Sequence, residues 1–352
     1  MPQQAALVTG ATGFIGNNLV RRLLERGERV KAFVRAGSDL KAFEGLPEDR
    51  FSLAYGDVRV VHTVYRALAG CDRIYHAASP FQFWAKDPEQ EIVQAAALGT
   101  RAVLTAVRRR GIENVVVTSS VAVLGVNDKP EAFDEEHPFN LSDPDPYVRS
   151  KLEAEKVVEE FLDAGVPIVS VLPGTVYGPG DRKPTPNGRA LLKYLQLSPG
   201  FSVPVTEGGI NVVDVADVVD GHILAMEHGA IGARYLLGGD NLKWAEIFQI
   251  LADITGLAEP GEPKSQWMME LFARILELQA WWTNRPPIIT HAAVRNFASA
   301  YVWFSSEKAE TELGYTHRPA REALARGVRW FLENGYVPKA SAGRVRLELR
   351  PV

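Results

Sequence analysis

Three glycines at three-residue spacing stand near the start of the chain and constrain its fold more than any other feature. The apolar run from Ala5 to Val8 predicts a buried strand before them, and the apolar-periodic run after Gly16 predicts an amphipathic helix. Gly10 permits a tight turn, Gly13 lets a pyrophosphate approach the backbone, and Gly16 lets the helix pack closely. The free N–H groups of the helix N-terminus attract phosphate. The glycines alone would fit an ordinary strand-to-helix turn, but strand, turn and helix together predict dinucleotide binding.

The composition is that of a globular protein. The chain has 352 residues, enough for one large α/β domain or two modest ones, and a net charge of -4 gives no basic excess for nucleic acid. A single cysteine, Cys71, excludes an internal disulfide framework. We see no signal-peptide pattern and no apolar run long enough to span a bilayer, so we expect a cytoplasmic protein.

The second predicted strand, Arg29 to Val34, indicates which dinucleotide binds. In dinucleotide folds an acidic residue at this strand end binds the ribose of NAD, whereas an arginine accommodates the 2′-phosphate of NADP. Arg35 stands here, and Asp39 comes several residues later. We therefore predict NADP(H), with NAD(H) kept as the alternative because Arg35 could simply lie in a solvated loop.

Two further predicted strands place polar residues at their carboxyl ends, on the same side of the predicted sheet as the glycine turn and Arg35. Asp57 follows the strand Phe51 to Tyr55, where it could accept from the adenine amine or cap the next helix. His76 falls within the strand Arg73 to Ala77, and we predict a hydrogen-bonded core histidine rather than a catalyst. The small residues after it suit a backbone that passes close to the cofactor.

The residues for chemistry follow the fifth predicted strand. Ser119 and Ser120 come directly after it, and Tyr147 and Lys151 lie four apart on one helix face. A phenol is a weak acid at neutral pH, and a nearby ammonium would lower its pKa. Tyr147 could thus give a proton to a carbonyl oxygen while hydride adds to carbon. A tyrosine and a lysine four residues apart are common on solvated helices, so the assignment of Tyr147 and Lys151 to catalysis depends on the glycine turn and the serines as well. Five strands separated by helices predict an α/β fold, a doubly wound parallel sheet.

Together these motifs resemble the extended short-chain dehydrogenases/reductases. The likeness is carried by Thr9–Gly16, Gly56–Val58, His76–Ala78, Thr118–Ser120, Tyr147-x-x-x-Lys151 and Pro173–Gly180. More narrowly, Arg182–Arg189, Phe304–Lys308 and Leu313–Tyr315 make the chain similar to the dihydroflavonol 4-reductase-like group. That group includes bacterial proteins called hopanoid-associated sugar epimerases and is related to 3β-hydroxysteroid dehydrogenases.

The resemblance implies a Rossmann fold and a set of site residues. It implies Ser120, Tyr147 and Lys151 as the catalytic residues, with Ser120 chosen over Ser119. It implies cofactor contacts by Tyr147 and Lys151 and also by Gly10, Thr12, Gly13, Phe14, Ile15, Gly16, Arg35, Asp57, Val58, Ala77, Ala78, Pro173 and Val176. It also implies a homodimer formed through the two long helices, predicted at Glu89 to Arg110 and Tyr147 to Ala164.

The chain departs from the resemblance at two places. Relatives often carry an asparagine before the Gly99-Thr100 pair, where Ala96, Ala97 and Leu98 stand here. This puts a relay role for that asparagine in doubt. Many sugar-modifying relatives have a tyrosine where this chain has Leu124, which weakens a sugar-nucleotide interpretation.

The second half of the sequence predicts a smaller substrate lobe. We assign 1–180 to the dinucleotide-binding domain, 181–336 to the lobe, with about 211–240 returning to the core, and 337–352 to a tail. Asp214 and Asp217 precede or begin a helix and could cap it rather than bind a ligand. The segment Gln266 to Trp282 has more apolar residues than one helix face needs. Core packing, a pocket wall and peripheral membrane contact all fit this segment.

These observations predict an NADP(H)-dependent oxidoreductase that acts on CH–OH donors. It would interconvert a carbonyl and an alcohol on a mainly apolar or cyclic molecule, such as a dihydroflavonol-like or steroid-like ketone or aldehyde. The alternatives are an NAD-retaining nucleotide-sugar epimerase or dehydratase, and a non-catalytic dinucleotide sensor. The seven histidines are scattered without ligand spacing, so no metal site is expected.

Overall fold

The computed structural model describes residues 4–283 and 290–346. The strands are β1 (Ala5–Thr9), β2 (Arg29–Val34), β3 (Phe51–Tyr55), β4 (Cys71–His76), β5 (Asn114–Thr118), β6 (Ile168–Pro173), β7 (Thr175–Tyr177), β8 (Ser202–Val205), β9 (Gly209–Asp214), β10 (Arg234–Leu237), β11 (Asp240–Lys243), β12 (Glu259–Pro263) and β13 (Tyr301–Val302). The helices are α1 (Phe14–Glu25), α2 (Val61–Ala67), α3 (Ala95–Arg110), α4 (Pro146–Asp163), α5 (Pro186–Tyr194), α6 (Val215–His228), α7 (Trp244–Thr255), α8 (Gln266–Thr283), α9 (His291–Phe297), α10 (Glu307–Leu313), α11 (Ala320–Glu333) and α12 (Lys339–Ala342).

A seven-stranded sheet organises the molecule, in the order β10-β6-β5-β4-β1-β2-β3 with every pair parallel. The order reverses at β1, which lies between β2 and β4. In such sheets ligands bind at the carboxyl ends of the strands beside the reversal. The predicted doubly wound Rossmann fold is therefore confirmed.

Apolar helices cover both faces of this sheet. On one face, α1 and α6 pack over β1 and β6 through a cluster that includes Leu19, Leu23, Val219 and Ile223. On the other face, α2, α3 and α4 pack through a cluster that includes Leu104 and Phe161. Because both faces are buried, the central strands are nearly continuous apolar runs, as the sequence pattern predicted.

Smaller sheets and helices form the remainder of the molecule. One sheet has the order β11-β9-β13 with β7 also paired to β9, and β8 pairs with β12. Helices α5, α7 and α11 pack with these strands around Leu191, Leu251, Leu324 and Phe331. This lobe stands over the carboxyl edge of the main sheet, because β7 follows β6 directly.

Several predicted elements differ from the structure. The sequence predicted five separated strands and a return of about 211–240 to the core, and the main sheet in fact has seven strands, with β10 added beyond β6. The predicted helix from Glu89 opens with a π-helical turn, Glu89–Gln94, before α3 begins. Ala320–Glu333, which the sequence interpretation placed in the lobe, forms α11 and buries one full face, including Leu324, Val328 and Phe331.

The predicted tail also differs from expectation in the part that the structure describes. Its first residues pack on the lobe, with Val337 buried and Arg344 donating to the Gln196 carbonyl at 3.0 Å. Residues 347–352 of that tail lie outside the described residues. No helix in the described ranges is long and apolar enough to cross a membrane.

Candidate active site

The glycine turn between β1 and α1 is shaped as the sequence predicts. Gly10 has a φ of +67°, and a Cβ there would lie 2.6 Å from the Ala77 carbonyl oxygen. A Cβ on Gly16 would lie 2.2 Å from the Gly10 carbonyl oxygen. Only glycine fits either position, so this turn holds β1, β4 and α1 close together.

The N-terminus of α1 is free to bind an anion. Its N-cap, Gly13, has no side chain to accept from the first N–H groups, and the first turn contains no acidic residue. No side chain of the cap accepts from those N–H groups, and Phe14, Ile15 and Gly16 line a cavity, where the helix dipole favours negative charge. This cradle fits the pyrophosphate of a dinucleotide.

One continuous cleft runs along the carboxyl edge of the sheet. It consists of two adjoining cavities of about 730 and 530 Å³ that share Gly10, Gly13 and Ala77. Their volumes suit a dinucleotide with a small substrate. The smaller cavity is lined by Thr12, Arg35, Asp57, Val58 and Ala78 among the predicted cofactor contacts. The larger is lined by Phe14, Ile15, Gly16, Ser120, Tyr147, Lys151, Pro173 and Val176.

Arg35 and Asp57 both line the smaller cavity, but they differ in their ion pairing. Asp57 accepts from the Arg59 backbone N–H at 2.9 Å and from its guanidinium at 2.6 Å, which lowers the pKa of Asp57. The capping interpretation of Asp57 is wrong, because α2 begins only at Val61 and Val60 is its N-cap. Arg35 is exposed in the cavity, and within the described residues it makes no ion pair.

The helix α4, which carries Tyr147 and Lys151, is capped by a buried acid. Asp145 is its N-cap and accepts from the backbone N–H groups of Tyr147 at 2.8 Å and Val148 at 3.0 Å. Pro146 occupies the first turn, where no N–H is needed. Lys151, one turn further on, is buried and donates to the Thr118 carbonyl at the end of β5 at 3.2 Å. The sheet edge and the helix therefore determine the position of the lysine.

Burial controls the protonation of this site. It raises the pKa of Tyr147 to about 12, with the Ser120 hydroxyl partly opposing the rise. It lowers the pKa of Lys151 to about 8. The lowered phenol pKa that the sequence interpretation attributed to Lys151 is thus not a property of this structure, because desolvation of Tyr147 outweighs other effects. At neutral pH Tyr147 carries the proton that a general acid needs.

His76 is a structural residue, as predicted. Its ring is buried, with Nδ1 2.8 Å from the Thr9 hydroxyl and Nε2 3.4 Å from the Thr100 hydroxyl. Desolvation, and secondarily the charge of Lys151, lower the pKa of His76 to about 3. The ring is neutral across the physiological range.

Behind Lys151 lies a small enclosed chamber that the sequence did not indicate. The hydroxyls of Ser79 and Ser119 both face it, and both are buried without a hydrogen-bond partner among the described residues. Glu155, one turn after Lys151, forms part of its wall, and burial raises the pKa of Glu155. Ser119 thus lines both the chamber and the cleft, whereas Ser120 lines the cleft beside Tyr147 and not the chamber.

Two phenylalanines from the loop after β4 pack on Tyr147. The ring centroids of Phe81 and Phe83 lie 4.9 and 5.4 Å from that of Tyr147. The pair also contact each other edge-on at 5.8 Å. Phe81 lines the cleft and is 36% exposed, so an apolar ring flanks the place where Tyr147 would meet a substrate. The contact of these two phenylalanines with Tyr147 could not be predicted from the sequence, because an irregular loop has no periodicity.

The outer part of the larger cavity combines apolar and basic side chains. Pro80, Pro184 and Leu192 provide apolar surface, and Lys183, Arg189 and Lys193 bring three positive charges. Lys183 also lines the smaller cavity. The sequence of Arg182–Arg189 does not by itself indicate this charge, because tertiary packing decides which side chains reach the cavity.

The remaining candidates lie outside the cleft. Asp214 caps α6 by accepting from the Ala216 N–H at 2.7 Å, and it forms ion pairs with Arg318 and Arg326. Asp217 accepts from the Arg318 N–H at 2.9 Å. Both acids are therefore structural. Across 4–283 and 290–346, no three histidine, cysteine or acidic side chains are grouped to hold a metal ion.

Comparison with known proteins agrees with this geometry. A sequence profile of the NAD dependent epimerase/dehydratase family matches residues 6–238. The chain is 35% identical over 337 residues to sterol demethylase protein B of Methylococcus capsulatus, covering 94% of this chain and 99% of that one. It is 30% identical over 274 residues to dihydroflavonol 4-reductase of Arabidopsis thaliana, covering 71% and 69%. A solved structure described as gox2253 is 35% identical, with a TM-score of 0.82 over 96% of this chain and 100% of that one.

Proposed function

The chain belongs to the NAD-dependent epimerase/dehydratase family of extended short-chain dehydrogenases/reductases, and on that premise we propose that it is an NADP(H)-dependent carbonyl reductase. Its substrate is a mainly apolar or cyclic ketone or aldehyde. The observation that carries this proposal is the position of Tyr147, which lies in one cleft with the glycine turn and packs against the rings of Phe81 and Phe83.

Each residue of the cleft has a role in this proposal. The cofactor, bound along the glycine turn, supplies hydride. Tyr147 donates a proton to the carbonyl oxygen, and Ser120 hydrogen-bonds the same oxygen. Lys151, held by the Thr118 carbonyl, places a positive charge near the phenolate that remains. Phe81 packs against the apolar part of the substrate and keeps water away from it.

The preference for NADP(H) is supported by charge. Arg35 is exposed at the end of β2 and faces the smaller cavity, while Asp57 is neutralised by Arg59. An unpaired arginine there suits a 2′-phosphate, and the acidic residue expected for NAD is missing from the strand end. The names of two similar proteins, a sterol demethylase protein and a dihydroflavonol 4-reductase, fit a polycyclic substrate.

One observation favours a second candidate function. Lys183, Arg189 and Lys193 line the outer cavity, and three cations suit the diphosphate of a nucleotide sugar. An epimerase or dehydratase of this kind would retain NAD through the cycle, because it must return the hydride that it removes. A non-catalytic dinucleotide sensor is less well supported, because it would not need Ser120, Tyr147 and Lys151 together.

The experiment that separates these functions measures nucleotide content and redox stoichiometry together. Purified protein is denatured to release any bound nucleotide. Separately, NADPH absorbance is followed with cyclic ketones such as 1-decalone and a dihydroflavonol, and with nucleotide sugars. We expect no tightly bound nucleotide and one NADPH oxidised per ketone reduced. Tightly bound NAD, with nucleotide-sugar turnover and no net redox change, would overturn the proposal.

A further inference from the structure

The described residues leave the apolar side of helix α8 uncovered. Among its 18 residues, only Ala273 and Ala280 are buried. Eight large apolar side chains are exposed, from 46% for Met268 to 84% for Trp282. The others are Trp267, Leu271, Phe272, Ile275, Leu278 and Trp281. A monomeric protein rarely leaves a contiguous apolar patch of this size in water.

The exposed residues share one side of the helix. At 100° per residue, these eight positions fall within about half of the helix circumference, and Ala273 and Ala280 fall on the opposite half. That opposite half packs on α9, where Ala273 and Met269 contact Val294 and Ala298. The amphipathic pattern is therefore inverted, since the apolar half of α8 faces away from the protein.

The polar residues of α8 are engaged by α9. Glu277 accepts from the backbone N–H of His291 at 2.8 Å, and Glu270 lies 3.5 Å from the His291 ring. Arg274 lies 3.1 Å from the same ring and is itself exposed at the margin of the apolar half. Both acids are thus directed to α9, and the one charge beside the apolar half is positive. This arrangement suits phosphate groups beside an apolar layer.

The tryptophans of α8 are placed at its ends. Trp267 lies in the first turn, and Trp281 and Trp282 lie in the last, with leucine, isoleucine and phenylalanine between them. Tryptophan favours the boundary between hydrocarbon and headgroups, where its ring is buried and its N–H remains hydrated. A helix that lies in the plane of the bilayer holds all three exposed tryptophans at this boundary, whereas a second copy of the protein would not require them.

We propose that α8 lies on the surface of a phospholipid bilayer and inserts its apolar half among the lipids. This inference concerns a surface outside the cleft and does not depend on the proposed activity. Arg295 and Asn296 of α9 bind Asp143, two residues before the N-cap of α4. A docked α8 would therefore connect the bilayer to the loop that leads into the catalytic helix.

The test measures vesicle binding by the full chain. Wild-type protein is mixed with vesicles of pure phosphatidylcholine and with vesicles that also contain phosphatidylglycerol, and the bound fraction is determined by co-sedimentation. We expect binding to both kinds of vesicle, a blue shift of tryptophan emission, and little loss at high salt, because apolar burial drives the interaction. The double substitution Trp281→Gln/Trp282→Gln should weaken binding roughly 10- to 100-fold.

Two controls make the result specific. Ile231→Gln changes a residue that is 70% exposed but lies outside α8, and it should bind vesicles as the wild type does. Leu271→Gln/Ile275→Gln provides a second α8 variant, and thermal unfolding monitors the fold of each protein. Failure of the wild type to bind either vesicle would overturn the proposal. The proposal would also be overturned if the protein self-associates in solution and Trp281→Gln/Trp282→Gln abolishes that self-association without changing vesicle binding. A second copy of the chain would then cover α8.

Discussion

Tyr147 is the residue on which the proposed chemistry depends most. Substitution by phenylalanine removes one hydroxyl and preserves the ring that packs on Phe81 and Phe83. We expect Tyr147→Phe to lower turnover by roughly 10²–10⁴-fold, because a general acid is lost. NADPH binding, measured by fluorescence titration, should change little. Near-normal turnover in the carbonyl assay would show that another group donates the proton.

Arg35 tests the choice of cofactor. A charge-assisted hydrogen bond contributes about 1.5–3 kcal/mol, so Arg35→Ala should weaken NADPH binding by roughly 10- to 150-fold. NADH lacks the 2′-phosphate, and its dissociation constant should hardly move. Arg59→Ala is the matched control, because Arg59 lines the same cavity but is paired with Asp57. Equal losses of both cofactors in Arg35→Ala would contradict the assignment.

We expect the rate of the proposed reduction to depend on pH through Lys151. Burial lowers its pKa to about 8, so the ammonium is present below that pH and is lost as the pH rises through it. Reduction leaves a phenolate that needs this charge, so kcat/KM for reduction should fall on the alkaline side of about pH 8. Lys151→Arg remains charged there, and any activity it retains should lack this decline. A flat profile for the wild-type enzyme would exclude Lys151 as the titrating group.

The residues of the cleft were predictable to different degrees. Gly10, Tyr147 and Lys151 could be found because glycine sterics and i,i+4 spacing leave a local signature in sequence, whereas Ser120 was chosen over Ser119 only through the family resemblance. Asp57 could be placed at the cleft, but its partner Arg59 could not, since side-chain pairing depends on where the helix begins. Phe81 and Lys183 reach the cleft through tertiary packing of loops, which leaves no such signature.

At the scale of elements, the N-terminus of α4 is the feature that most directly positions Tyr147. Asp145 is 1% exposed, accepts from two N–H groups and directly precedes the turn that presents Tyr147. We expect Asp145→Ala to lower the free energy of unfolding by about 0.5–2 kcal/mol, as measured by denaturant titration. Asp145→Asn retains the acceptor and should be milder. An unchanged stability in Asp145→Ala would mean that solvent satisfies these N–H groups.

Strands and helices could be predicted from the sequence where a local pattern of residues defines them. The strands β1 to β6 and the helices α1 and α4 follow from apolar runs, glycines and caps. The segment of about 211–240 was predicted to return to the core, but the pairing of β10 with β6 was not, because β10 has four residues and joins β6 across more than sixty positions of sequence. The buried face of α11 depends in the same way on partners in a distant part of the chain, α5 and α7.

At the scale of the whole molecule, α3 and α4 lie side by side with their outer faces available. Arg101 and Glu160 form two hydrogen bonds of 2.7 and 2.9 Å between the helices, and Arg149 pairs with Glu89 nearby. Among these charged groups Leu98 is 53% exposed. A helical face with ion pairs around an exposed apolar residue suits a two-fold interface in which the same surface meets itself.

We therefore propose that the chain is a homodimer through α3 and α4, and that Leu98→Asp dissociates it. In a two-fold interface the change places two like charges where two apolar side chains would meet, so the dissociation constant should rise at least about tenfold. Sedimentation velocity over a range of concentrations measures this effect, with Ile231→Asp as the exposed control. Vesicle binding through α8 should be unaffected, because α8 lies elsewhere in the fold. A wild-type protein that sediments as a monomer at every concentration would contradict the dimer.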